Sequence, residues 1–129
     1  MRSAKYVEQF RNREGLTYGF GRSALPGIYT IEVMHTDWGT PIGCVWYRQI
    51  GANKIIEITQ SFIREDCRRC GLRTYLHEKL QEAYPEVTKI ITGGGTKEGR
   101  KWMLATGYRK TEDGWTFTVK GKNRLRQRR

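Results

Sequence analysis

Two periods of apolar residues run along the chain, and the switches between them mark its elements. Residues 3–13 have the pattern of a short helix, with Ser3 as cap, Val7 and Phe10 turned inward and Gly15 as stop. The glycines of residues 17–27, together with Pro26, predict a loop. Tyr29, Ile31, Val33 and His35 then alternate with Thr30, Glu32 and Met34, the period of a half-buried strand. A turn at Asp37-Trp38-Gly39 leads into a second strand over Ile42–Ile50, and Gly51-Ala52-Asn53 turns the chain into a third. That third strand, Ile55–Ile63, is rich in β-branched residues, holds no Gly or Pro, and ends in the charges of Arg64 to Asp66. From Leu72 the period changes: Leu72, Leu76, Leu80 and Ala83 recur at helical spacing. Pro85 stops that helix, and Val87–Thr92 reads as a short buried strand. Gly93-Gly94-Gly95 predicts a turn, and Thr96–Thr106 a helix capped by Thr96 with Glu98 in its first turn. Two last strands, Tyr108–Glu112 and Trp115–Val119, meet through Asp113-Gly114. The order is one helix, three strands, a helix, a strand, a helix and two strands, with no internal repeat.

Composition narrows the class. A chain of 129 residues is expected to form one domain over residues 1–119, followed by a basic tail over 120–129. No apolar run approaches the roughly 18 residues of a membrane span, so no membrane partner is expected. The N-terminus shows no apolar signal core, and the expectation is a cytoplasmic protein whose three cysteines are reduced. The net charge is +11, of which six positive charges fall in the last ten residues. Such a run is ordinarily solvated; it also suits nucleic acid or an acidic protein, held in a salt-dependent way. The rest of the chain remains basic, which suits an anionic cofactor or substrate.

The candidate chemistry centres on the junction of the third strand and the second helix. Strand, turn and helix in this order aim the first backbone N–H groups of the helix, with roughly half a positive charge from its dipole, at an anion such as pyrophosphate. The turn has the form Arg-x-x-Gly-x-Arg, from Arg68 through Gly71 to Arg73. The segment Ile63–Leu76 resembles the acetyl-CoA motif of the GNAT superfamily of N-acetyltransferases, V-x-x-x-x-[RQ]-x-x-G-x-[GA] followed by a leucine-rich helix. Ile63 stands for the valine, Arg68 for the Arg/Gln and Gly71 for the central glycine. Arg73 departs from the final small residue and is suited to pair with a phosphate instead. The resemblance covers about residues 28–119 and implies an α+β fold, a mostly antiparallel splayed sheet flanked by helices, with a shortened N-terminal part. It implies acetyl-CoA as acyl donor, held at Ile63, Arg68, Arg69, Cys70, Gly71, Leu72, Arg73 and Thr74, and an amine as acceptor.

Acetyl transfer to an amine requires a polarised thioester, a deprotonated amine and a protonated leaving thiolate. For the first, the resemblance points to the backbone amides of Ser61 and Ile63, since a fixed donor aimed at a developing oxyanion is a large catalytic term. For the second, Glu57, flanked by Ile56 and Ile58, is the candidate base, six residues before Ile63 as in histone-type GNAT enzymes. The alternative for Glu57 is a strand glutamate facing solvent or paired with Lys or Arg. For the third, the family pattern N-x-x-A-x-x-x-Y-x-x-x-G-F meets Gly107-Tyr108 but carries Met103 in place of the tyrosine and Thr96 in place of the asparagine. A thioether donates no proton. Tyr75 and Tyr108 are possible substitutes, and both read more simply as packing residues.

Two other constellations compete with this one. Cys67-Arg-Arg-Cys70 between strand and helix fits a redox pair, but the prolines are badly placed for a thioredoxin-like order. A zinc site would need further ligands from Cys44, His35 and His77, which have no finger spacing, so no metal is expected; His77 reads as a surface residue. The acceptor stays open among a small amine, a protein amine and an aminoacyl-RNA. A weakly active or inactive GNAT scaffold that binds nucleic acid or protein through its basic surface is the alternative function. Exposed sheet ends also suit a homodimer.

Overall fold

The structure, a computed structural model, describes residues 4–119. Its elements in chain order are α1 (Ala4–Asn12), β1 (Leu16–Arg22), β2 (Tyr29–His35), β3 (Gly43–Ile50), β4 (Ile55–Ile63), a 3-10 turn (Glu65–Cys67), α2 (Leu72–Ala83), β5 (Lys89–Thr92), α3 (Lys97–Thr106), β6 (Arg109–Thr111) and β7 (Gly114–Thr118). The fold is α+β: the strands form one seven-stranded, mostly antiparallel sheet in the order β1-β2-β3-β4-β5-β7-β6. The basic tail and the proposed cap Ser3 lie outside the described residues. Among the described residues no helix is long and apolar enough to cross a membrane.

By packing, the described chain divides into two compact units, residues 4–46 with 60–80 and residues 47–59 with 81–119. In the first, Ile31, Val33, Ile42, Leu72, Leu76 and Leu80 make a fully buried core. Phe10 anchors α1 to it, stacked on Tyr6 at 5.9 Å and edge-on to His35 at 5.3 Å, while His35 Nε2 and Gln9 Oε1 hydrogen-bond at 2.9 Å. The buried arc of α2 is wider than its leucine stripe. Tyr75 and His77 join Leu72, Leu76 and Leu80 inside, so His77 is a core residue rather than a surface one. Ala83, the last residue of the helix, is exposed.

The expected loop over residues 17–27 is corrected by the structure, where Leu16–Arg22 is a strand paired antiparallel with the whole of β2. Glycines discourage a strand because they carry no side chain to pack. Here the β2 side chains supply the contacts: a Cβ on Gly21 would lie 3.1 Å from Thr30 Oγ1, and one on Gly19 would lie 3.6 Å from Met34 Cε.

In the second unit, β4 and β5 run parallel from the pair Ile55–Lys89 to Ile58–Thr92. β7 pairs antiparallel with β5 on its other side, and β6 closes a hairpin on β7 whose last pair is Thr111–Gly114. The tight turn therefore comprises Glu112 and Asp113, one residue earlier than the Asp-Gly signal suggests. Helix α3 begins where its cap demands, with Thr96 accepting from the Gly99 N–H at 3.1 Å. It ends at Gly107, φ 117°, where the Gly107 and Tyr108 amides both donate to the Met103 carbonyl.

Candidate active site

Strand β4 outruns its neighbour. Its ladder with β5 ends at Ile58, and the last five residues, Thr59–Ile63, continue past it. Near its end the direction of the backbone groups follows from two contacts. Arg64 N donates to Ile42 O at 2.9 Å, and Phe62 O lies on the side of Gly43, so both face β3. Successive N–H groups of a strand point to opposite edges. The Ser61 and Ile63 amides are thus directed to the edge away from β3.

The turn that follows is built from short local bonds. Cys67 N donates to Arg64 O at 2.9 Å, and the Arg68 guanidinium folds back so that its Nε donates to Ile63 O at 2.9 Å. Arg64 pairs with Asp66 at 3.2 Å; that hydrogen bond holds the Asp66 carboxyl below the usual carboxylate range. Arg69 (φ 64°) and Gly71 (φ 83°) then take left-handed backbone conformations on either side of Cys70. An L side chain pays about 1–2 kcal/mol for that geometry, which glycine avoids. A Cβ on Gly71 would meet nothing within 4 Å, so its outer side is open. The first backbone bond of α2 runs from Tyr75 N to Gly71 O at 3.0 Å. The amides of Leu72, Arg73 and Thr74 form the opening turn of the helix, which points in the direction a bound anion would take.

Arg73, the residue at the motif's small position, has its own use: its Nη2 donates to Ser61 Oγ at 3.1 Å and ties the first turn of α2 to the end of β4. No spacing rule in the sequence announces this contact. Cys67 and Cys70 are buried, reduced thiols, and Cys70 Sγ lies 3.4 Å from Arg68 O. Burial, helped by the Asp66 carboxylate, pushes the Cys67 thiol up to about 11, the opposite of what a reactive thiolate needs. Among the described residues no three His, Cys, Asp or Glu side chains converge as a metal cluster would require.

In the second unit, Glu57 is half-buried on β4 and its Oε1 is paired with Arg48 Nε. The Gly51–Lys54 turn sets these two residues at equal distances from its ends, a count the sequence does permit. Met103 is buried, as is Tyr108, which packs against Trp102 at 5.8 Å and Phe117 at 5.4 Å. Tyr75 is buried in the first unit with its ring 6.1 Å from Tyr18. Both tyrosines are packing residues.

No family model matches the sequence, and no curated protein resembles it at the sequence level. The fold does have counterparts among solved structures. An acetyltransferase from Thermus thermophilus superimposes with a TM-score of 0.63 at 16% identity over 74% of this chain and 67% of that one. YhhK from E. coli, assigned as an N-acetyl transferase and solved bound to coenzyme A, gives 0.62 at 19% identity over 75% of this chain and 76% of that one. A protein from Desulfovibrio desulfuricans assigned to the GNAT family gives 0.64 at 10% identity over 81% of this chain and all of that one. At these identities the likeness is one of fold: this chain has the mixed, mostly antiparallel fold of the GNAT acetyltransferases.

Proposed function

We propose that the protein transfers an acetyl group from acetyl-CoA to an amine. The observation that carries this reading is the junction of β4 and α2. Two amides there face the edge away from β3, and two left-handed residues open the turn below a helix N-terminus. YhhK, of the same fold, is bound to coenzyme A in its structure, which supports the same donor here. In this reading the amides of Arg68 to Thr74 and the nearby guanidinium groups hold the pyrophosphate, while Ser61 and Ile63 orient the thioester carbonyl. The amine nitrogen attacks the carbonyl carbon, the carbon–sulfur bond breaks, and coenzyme A leaves as a thiolate that takes up a proton.

Removing the proton of an alkylamine at neutral pH costs about 4–5 kcal/mol. Glu57 is the base we assign to that step, accepting through Oε2 while Arg48 holds Oε1. With Met103 in the family's tyrosine place, we assign protonation of the thiolate to water rather than to a side chain. The test is calorimetric titration with acetyl-CoA. The expected result is micromolar binding by the wild type, loss of that binding in Arg68→Glu, and retained binding without turnover in Glu57→Gln. A folded wild-type protein that binds no acetyl-CoA would overturn the proposal.

A further inference from the structure

The exposed aromatic residues of this chain are not scattered. Of the six large hydrophobic side chains exposed among the described residues, four are Tyr18, Phe20, Leu25 and Tyr29, all on or next to the β1–β2 hairpin. Period-two alternation puts Tyr18, Phe20 and Arg22 on one face of β1, and the register sets Tyr29 of β2 directly opposite Arg22. Tyr18 and Phe20 are 41% and 47% exposed and meet edge to face with their centroids 6.0 Å apart. Lys79 of α2 lies 5.4 Å above the Tyr18 ring, which brings a second cation to the same margin of the sheet. Residues 15–31 contain no Asp or Glu at all.

The connection between the two strands is bonded within itself. Ser23 N donates to Ile28 O at 3.0 Å, and the Ser23 hydroxyl exchanges bonds with Leu25 N at 3.0 Å and Leu25 O at 3.1 Å. A water-facing row of rings flanked by cations, on a hairpin that carries no carboxylate between residues 15 and 31, matches the chemistry of stacked bases and phosphates. A second copy of the chain is the poorer occupant, because two chains of net charge +11 repel one another. We propose that this margin of the β1–β2 hairpin binds single-stranded nucleic acid, with bases stacked on Tyr18, Phe20 and Tyr29 and phosphates on Arg22 and Lys79. This function is independent of acetyl transfer and uses none of the residues assigned to it.

The experiment uses the full chain, basic tail included, and fluorescence anisotropy with labelled oligo-dT and oligo-rU twelve-mers and a duplex of equal length. The key variant is Tyr18→Leu/Phe20→Leu, which keeps apolar bulk and every charge but removes both rings. Loss of one stacked base corresponds to roughly five- to hundredfold in affinity. The single strands are therefore expected to bind at least about fivefold more weakly to this variant, with duplex binding unchanged. Arg22→Ala should flatten the salt dependence of single-strand binding by about 0.7 in slope. Unchanged single-strand binding by the ring variant would mean that charge alone holds the strand, and would overturn the proposal. So would the absence of single-strand binding by the wild type, or a dimer in sedimentation that the ring variant converts to monomer with oligonucleotide affinity intact. Thermal melting of each variant confirms that the fold is retained, and Tyr29→Leu, on the partner strand, provides an independent ring deletion.

Discussion

Protonating His77 should destabilise this protein from within. Its imidazole is 4% exposed on the inner arc of α2, and burial pushes its pKa from the ordinary 6.5 down to about 4. Above pH 6.5 the residue is neutral in both folded and unfolded chains, and its contribution to stability is complete. Between pH 6.5 and about 4 the unfolded chain takes up a proton that the folded chain refuses, so stability falls as the pH falls. Each pH unit across that window is worth about 1.4 kcal/mol, which makes the whole interval worth about 3–4 kcal/mol. That is a large share of the roughly 5–15 kcal/mol that holds a domain together. Below about pH 4 both states are charged and the slope from this residue ends. The Arg64–Asp66 pair, with its depressed carboxyl, responds only below the normal carboxylate range and does not overlap this window. The assay is urea denaturation at half-unit steps from pH 4 to 8, for wild type and His77→Gln. The variant should be less stable at pH 7, with a flatter dependence below pH 6.5. NMR titration supplies the second readout, and with only two histidines in the chain the variant assigns both ring signals. Parallel pH profiles for the two proteins, with the His77 imidazole titrating near 6.5, would refute the reasoning.

Other substitutions test the packing and the caps. Gly43→Ala should destabilise by about 1–3 kcal/mol in urea denaturation. The added Cβ would stand 2.6 Å from Ile63 Cδ1 and 3.0 Å from Val33 Cγ1, inside the core beneath the end of β4. Thr96→Ala removes the acceptor of the Gly99 N–H and should cost about 1 kcal/mol, with Thr96→Ser restoring most of it.

Local order was the legible part of the chain. The bounds of β4 follow from an uninterrupted β-branched run between two turns, and the start of α3 from its cap Thr96. The β4–α2 junction could be found for the same reason: strand, turn and helix are contiguous, so their geometry needs no distant partner. β1 was hidden because Gly19, Gly21 and Pro26 signal a loop when the strand that completes them is not yet known. His77 was hidden because a stripe of leucines defines a narrower arc than the helix buries. The reach of Arg73 to Ser61 depends on a side-chain path across elements, which no spacing along one element encodes.

The bond between Arg73 and Ser61 bears on how this sequence is free to change. A chain drifting toward the motif's small residue at position 73 would strip the hydroxyl at 61 of that donor, and losing the hydroxyl first would take an acceptor from the guanidinium. Each step alone leaves a polar group worse off than both steps together. The two positions therefore form a linked pair. Across related sequences, Ser or Thr at 61 should travel with Arg at 73, and a small residue at 73 with an apolar one at 61.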